Sequence, residues 1–364
     1  MTPAMVVTVA RSTFGRMPDG AEVEAITFSS RRGTSATVIT YGAALQALEL
    51  RNPDGSTTDV ALGHATLDEY RHKRQYMGST VGRVANRISK ARFVLDGHRY
   101  QITANDGSNA LHGGTEGFDR AVWTVAGTRS GVDFADVELT HVSPDGDQGF
   151  PGRVTASLRY RLGEDGSLRI DHIANTDRVT VVSLLNHTYW NLAGEGSPGG
   201  AMGLVLEIPA QSFLPVDATL IPTGELRQVS GTVFDFRTPQ AIGESLRETR
   251  DEQIRIGRGY DHNWIVASEA GRQQHLMARV TDPVSGRRME VWSDQPGLQF
   301  YSGNFLDATS RGKSGNLYRQ GDAIVLEPQP FPDVVNQPKF GSIRLAPGET
   351  YRSTTIYRFS VENS

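Results

Sequence analysis

Five short segments of this 364-residue sequence place polar side chains where an apolar strand pattern would otherwise continue, and the sharpest of them leads to Glu327. Residues 323–326 (AIVL) run into that carboxylate, and Pro328, Pro330 and Pro332 stiffen the chain beyond it. A carboxylate at the end of a buried strand, held by a rigid loop, is suited to take a proton as a general base; the alternative is a strand end capped in water. Residues 184–192 (LLNHTYWNL) set Asn186 and His187 inside an apolar stretch that begins at Val179. Burying such a pair without partners costs several kcal/mol, so the fold must supply hydrogen bonds or a ligand there. Residues 81–88 (VGRVANRI) carry Asn86 and Arg87, which fits a ligand contact or an edge strand with a solvated Arg. Residues 109–114 (NALHGG) put His112 ahead of two glycines, which let backbone approach a ligand closely and serve equally in a plain turn. Residues 259–264 (GYDHNW) place Asp261 and His262 between aromatics, a composition suited to sugars, whose hydroxyls take charged acceptors and whose C–H faces take rings. Close to Glu327 in sequence, residues 297–307 (GLQFYSGNFLD) add Gln299 and Asn304 among three aromatics.

Other chemistries lack their residues. There is no cysteine, which removes disulfides, thiol catalysis and thiolate metal sites. The nine histidines show no close metal-ligand spacing, and no nucleophile elbow, phosphate loop or dinucleotide turn is present, so neither a metal nor a cofactor is expected. A net charge of −4 with scattered cations gives no electrostatic basis for nucleic-acid binding. No apolar run approaches a membrane span, and the N-terminal run at residues 4–10 is broken by Thr8 and preceded by no basic residue. The expectation is a cytoplasmic protein without a signal peptide, acting on a small molecule as a monomer or weak homodimer.

The elements that must bring these segments together are strands. Val154, Ala156, Leu158, Tyr160 and Leu162 alternate with polar residues, a Gly163-Glu164-Asp165-Gly166 turn follows, and Leu168, Ile170 and His172 resume the alternation. Asp-Gly pairs at 19, 54, 96, 106, 145 and 165 mark further hairpin turns, and residues 351–361 read as a C-terminal strand. Helical signals are few: one short helix is expected near residues 67–70, and about two turns after Thr238-Pro239, where Ile242 and Leu246 form an apolar pair. With no linker tract, residues 1–364 read as one all-β domain, a large antiparallel β-sandwich with a few short helices, and residues 194–203 as a surface loop.

Taken in order, VGRVANRI, LHGG, NHTYWNL, GYDHN, GLQFYSGNFL and LEPQPFPDVVNQP resemble the motifs of the aldose 1-epimerases, or galactose mutarotases, from about Val81 to the C-terminal strand. The resemblance implies a single mutarotase-like β-sandwich, no cofactor, and a sugar site on one broad face. Carried over by motif, Glu327 would be the general base and His187 the general acid, while Asn86, Arg87, His112, Asp261 and Gln299 would hold sugar hydroxyls. Pro330 and Trp190 depart from the family's usual polar residue and Phe. Three rivals stay open at this point: a glycoside hydrolase using Asp261 and Glu327, a sugar-phosphate epimerase, and a non-catalytic carbohydrate-binding module.

Overall fold

Period-two alternation is the dominant local signal, and it is realised as strands throughout the computed structural model, which describes residues 7–248, 250–267, 270–271 and 273–361. Residues 4–6 of the N-terminal apolar run lie outside the described residues. The hairpin read from the sequence forms between Val154–Gly163 and Leu168–Thr176, in a register that pairs Val154 with Thr176 and Leu162 with Leu168. Its inward residues Leu158, Tyr160, Leu162, Leu168 and Ile170 have no exposed surface. The Asp96-Gly97 pair joins Arg92–Leu95 to His98–Gln101 with φ of +47° and +82°, the left-handed pair that a two-residue hairpin needs.

Three antiparallel sheets dominate. Thr8–Arg16, Glu22–Ser29, Ser35–Ile39, Ala44–Arg51 and Thr57–Asp59 make a five-stranded meander. A nine-stranded sheet runs from its edge at Thr124–Ser130 through the long hairpin and the C-terminal strand Tyr351–Val361 to Gln240–Ala241. A six-stranded sheet orders Tyr189–Trp190, Ile324–Gln329, Gly297–Tyr301, Asp261–Ile265, Ser212–Leu214 and Arg227–Gln228. One core cluster joins all three, with Phe28 from the first, Tyr160 and Tyr357 from the second, and Trp190, Trp264 and Phe300 from the third. No helix among the described residues is long and apolar enough to cross a membrane.

Two expectations need correction. The helix near residue 67 forms as Leu67–His72, capped by a reciprocal Thr66–Glu69 box. The one expected after Thr238-Pro239 does not: Gln240–Ala241 pairs with Val205–Leu206 as the edge of the large sheet, and only a 3₁₀ turn, Ile242–Glu244, follows. The Ile242 and Gly243 amides donate to Leu204 and Met202 carbonyls, so tertiary pairing takes the donors that a helix would have used. Glu327 also does not end its strand. The strand Ile324–Gln329 continues through Pro328, with Gln299 opposite Glu327 and Gly297 opposite Gln329.

One stability consequence follows from burial alone. His172 is 2% exposed and burial pulls its pKa down to about 4, so as pH falls below the unfolded value of about 6.5 the unfolded chain gains a proton that the folded chain refuses. His172 therefore removes about 2 kcal/mol of stability by pH 5 relative to pH 7. Denaturant unfolding of His172→Asn should show a loss between pH 7 and pH 5 smaller than the parent's by about that amount. Equal losses would remove His172 as the acid-sensitive group.

Candidate active site

Three neighbouring strands of the six-stranded sheet carry the polar interruptions, and their alternation sorts the side chains onto two faces. Trp264, Leu298, Phe300, Ile324 and Leu326 join the core, whereas Asp261, Tyr301 and Glu327 fall in the other phase and line a cavity of about 310 Å³. The cavity is also lined by His187, Tyr189, Asn86, Arg87 and His112, so six of the seven residues to which the family resemblance gives a role converge on one space. The exception is Gln299. It is absent from the cavity lining, and its Nε2–H donates to Asp261 Oδ1 at 2.7 Å.

Each of the other segments is locked locally. Asn86 and His112 both adopt left-handed backbone, φ +62° and +52°, and clasp each other: the His112 amide donates to the Asn86 carbonyl, and the Asn86 amide donates to His112 Nδ1 at 3.2 Å. The next residue, Gly113, has φ +86°, and a Cβ there would sit 2.0 Å from the Gly82 oxygen, which explains the glycine after His112. His187 leaves a two-residue strand pair with Thr80–Val81; its amide donates to Ser79 O and its carbonyl accepts from Gly78. The Asn186–His187 pair divides its roles. Asn186 is satisfied by Gly78 O, Tyr160 Oη and Thr188 Oγ1, whereas His187 faces the cavity. Asn304 is structural too, donating to Gly257 and Tyr260 carbonyls.

At the floor of the cavity His187 Nε2 lies 2.9 Å from Glu327 Oε1, with both side chains almost fully buried. Arg87 is 6% exposed rather than solvated; its Nε donates to Asp106 Oδ2 at 2.8 Å, and its Nη1 stands 3.5 Å from Asp261 Oδ2. Burial opposes the Arg87 charge, but Asp261 and Asp106 outweigh it and raise the pKa. Burial raises the Asp261 carboxyl, against the opposing pull of Arg87 and the Gln299 amide. Burial, reinforced by the neighbouring His187, Arg87 and Arg74 side chains, drives His112 well below the ordinary imidazole value, so it stays neutral near pH 7. Since its Nδ1 accepts the Asn86 amide, the neutral ring carries its proton on Nε2 and offers a donor.

The spacing of the histidines in the sequence hides one feature. Ligand-type atoms of His112, His187 and Glu327 come within 4.8 Å of one another, a set that resembles a two-histidine, one-carboxylate metal centre. The His112 tautomer argues against that use, because the ring atom left free is an N–H and metal ligation needs a lone pair. Donors and acceptors wired in this way suit proton transfer.

Sequence reasoning missed several cavity residues. Tyr189 and Tyr301 lie two positions beyond His187 and Gln299, and strand alternation could have found them. Arg74 and Tyr76 gave no sequence signal. Tyr76 has φ +58°, packs against the rings of both His112 and His187 with centroids at 4.6 and 5.6 Å, and is covered by the Arg74 guanidinium at 4.7 Å.

Comparison with known proteins agrees with this geometry. The aldose 1-epimerase family model matches residues 24–358. The chain belongs to that family. Galactose mutarotase of Sus scrofa is 43% identical over 357 residues, covering 98% of this chain and 100% of that protein. Aldose 1-epimerase of Escherichia coli K12 is 35% identical over 348 residues, covering 95% and 97%. The crystal structure of galactose 1-epimerase from Lactobacillus acidophilus NCFM superposes with a TM-score of 0.85 at 29% identity, covering 98% of this chain and 100% of that one. This aldose 1-epimerase family member thus has the fold of its solved relatives, and side chains from the segments that carry the family resemblance line the cavity.

Proposed function

We propose that this aldose 1-epimerase family member interconverts the α and β anomers of free aldohexoses such as glucose and galactose, with Glu327 as general base and His187 as general acid. The observation that carries the assignment of roles is the 2.9 Å approach of His187 Nε2 to Glu327 Oε1 at the cavity floor. The anomeric hydroxyl oxygen and the ring oxygen are bonded to the same carbon, so an acid and a base that serve them must converge. Glu327 takes the proton of the C1 hydroxyl while His187 gives one to the ring oxygen, the C1–O5 bond breaks, and an aldehyde forms at C1. Rotation about C1–C2 presents the other face. Closure returns the ring-oxygen proton to His187 and the hydroxyl proton from Glu327, so no atom is gained or lost. Each positioned proton transfer contributes about 10²–10⁴-fold.

Asp261, Arg87, His112 and Asn86 hold the sugar hydroxyls, and Gln299 acts through Asp261. The substrate is an uncharged sugar, because each cation lining the cavity among the described residues already faces a carboxylate: Lys73 with Asp307 at 2.6 Å, Arg74 with Asp119 at 2.7 Å and Arg87 with Asp106 at 2.8 Å. That pairing disfavours a sugar-phosphate epimerase. We place the enzyme in the cytoplasm as one domain, a monomer or weak homodimer.

Polarimetry of freshly dissolved α-glucose and α-galactose tests the reading, with hexose 6-phosphates compared in parallel. Relaxation at the buffer rate for every sugar would refute it. Asp261→Asn should raise KM more than it lowers kcat, since a hydroxyl contact present in ground and transition states is lost. A fall in kcat alone would make Asp261 a reacting carboxylate and restore the hydrolase reading.

A further inference from the structure

His262 is the one ionisable side chain of the strand Asp261–Ile265 that faces away from the cavity, and it has no exposed surface. It lies between the rings of Phe234 and Phe213, at 4.7 and 6.0 Å, and burial holds its pKa at about 3, so the ring is neutral. Both nitrogens are used. Nδ1 accepts the Asp261 amide at 3.1 Å, which leaves the proton on Nε2 to be donated to Gln253 Oε1 at 3.2 Å. Gln253, in the short helix Glu252–Gly257 and itself 4% exposed, then grips both backbone groups of one residue. The Val216 amide donates to its Oε1 at 2.7 Å and its Nε2–H donates to the Val216 carbonyl at 3.0 Å.

Val216 opens a tight loop that closes on Pro222 through a β-bridge. The loop is stiff: Asp217 Oδ1 accepts from the Thr219 and Ile221 amides, and the Leu220 amide donates to Asp217 O. Leu220, in left-handed backbone at φ +62°, projects from it into the wall of the cavity that Asp261 also lines. A continuous run of buried hydrogen bonds thus joins the backbone of Asp261 to the loop that brings Leu220 to the cavity wall.

We infer that His262 and Gln253 are positioning residues that fix Asp261 against the Leu220 wall, and so set how tightly the cavity grips the sugar, without touching the reacting atoms. The inference rests on the proposed role of Asp261 as a hydroxyl contact. An isolated core histidine would need no second partner tied to a cavity loop. Here every donor and acceptor in the run between Asp261 and Val216 has its partner, and a neutral relay cannot be altered by titration near pH 7.

The test uses substitutions that each break one link. In His262→Asn the side-chain oxygen still takes the Asp261 amide but falls short of Gln253; in His262→Gln the amide still reaches Gln253 but the Nδ1 acceptor is lost. Leu220→Ala, at a partly exposed lip position, alters the wall and leaves the relay intact. Each should raise the KM for α-glucose or α-galactose by about tenfold while kcat stays within about twofold, as expected when a contact common to ground and transition states loosens. In an Asp261→Asn background the two His262 substitutions should change KM by less than about twofold, because the contact they position is already gone. KM unchanged in folded His262 variants, kcat falling instead of KM rising, or additive effects on Asp261→Asn would overturn the relay. If the His262 variants do not fold, KM unchanged in Leu220→Ala overturns it. If Asp261→Asn itself leaves KM unchanged, the hydroxyl-binding role of Asp261 falls first, which separates that failure from failure of the relay.

Discussion

Glu327→Gln is expected to lower kcat for mutarotation by about 10²-fold or more, roughly 3 kcal/mol of transition-state stabilisation, with KM within about twofold of the parent. Glutamine matches the carboxylate in size and keeps an oxygen to accept the His187 Nε2–H, so the 2 %-exposed position stays filled and the imidazole stays in place. What it lacks is basicity towards the C1 hydroxyl. On the proposed reading the sugar's other hydroxyls are met by Asp261, Arg87, His112 and Asn86, which line the cavity from separate elements, so ground-state binding is expected to survive. Initial rates of optical rotation over a range of sugar concentrations would separate kcat from KM. Turnover near the parent's would take Glu327 out of its role, and a large rise in KM would make it a binding residue.

The strand architecture was legible where a strand alternates between fully buried and less buried residues, as in Val154–Gly163 and Leu168–Thr176. The 154–176 hairpin, the Asp96-Gly97 turn and the C-terminal strand formed in the expected phase. The helix after Thr238-Pro239 failed because its residues were claimed by an edge-strand pairing with Val205–Leu206, and local propensity carries no information about such a long-range partner. The cavity was legible where polar residues interrupt an apolar alternation. In GYDHNW the alternation itself held the answer to which residue faces which way: Asp261 turns to the cavity and His262 to the core. Gln299 shares the segment and strand phase of the cavity residues, yet its amide is spent on Asp261 Oδ1 and it is absent from the cavity lining, which the motif by itself does not tell. Arg74 and Tyr76 were illegible because they come from an irregular stretch after the helix Leu67–His72 with no period to interrupt, and only the tertiary fold sets Tyr76 against the two imidazoles. The cluster of His112, His187 and Glu327 was hidden for a related reason, since its members come from three segments far apart in sequence.

His187→Asn should match the loss at Glu327, lowering kcat by about 10²-fold or more, and the double substitution is where the paired mechanism is most exposed. The backbone of residue 187 is held independently of the ring, its amide on Ser79 O and its carbonyl by Gly78, while among the described residues the side chain's one polar contact joins Nε2 to Glu327. Removing the imidazole costs the ring contacts with Tyr76, His112 and Tyr189 but no backbone hydrogen bond, so the variant is expected to keep the far-ultraviolet spectrum of the folded parent. If base and acid act in one concerted opening of the C1–O5 bond, losing either disables the same step. Adding His187→Asn to Glu327→Gln should then cost no more than a few-fold beyond the worse single variant, as happens when residues work as a unit. Independent contributions would multiply instead, giving about a 10⁴-fold deficit. A multiplicative result would mean that the two groups serve separate steps, and the 2.9 Å contact would then be a structural pairing and not the proton-transfer couple.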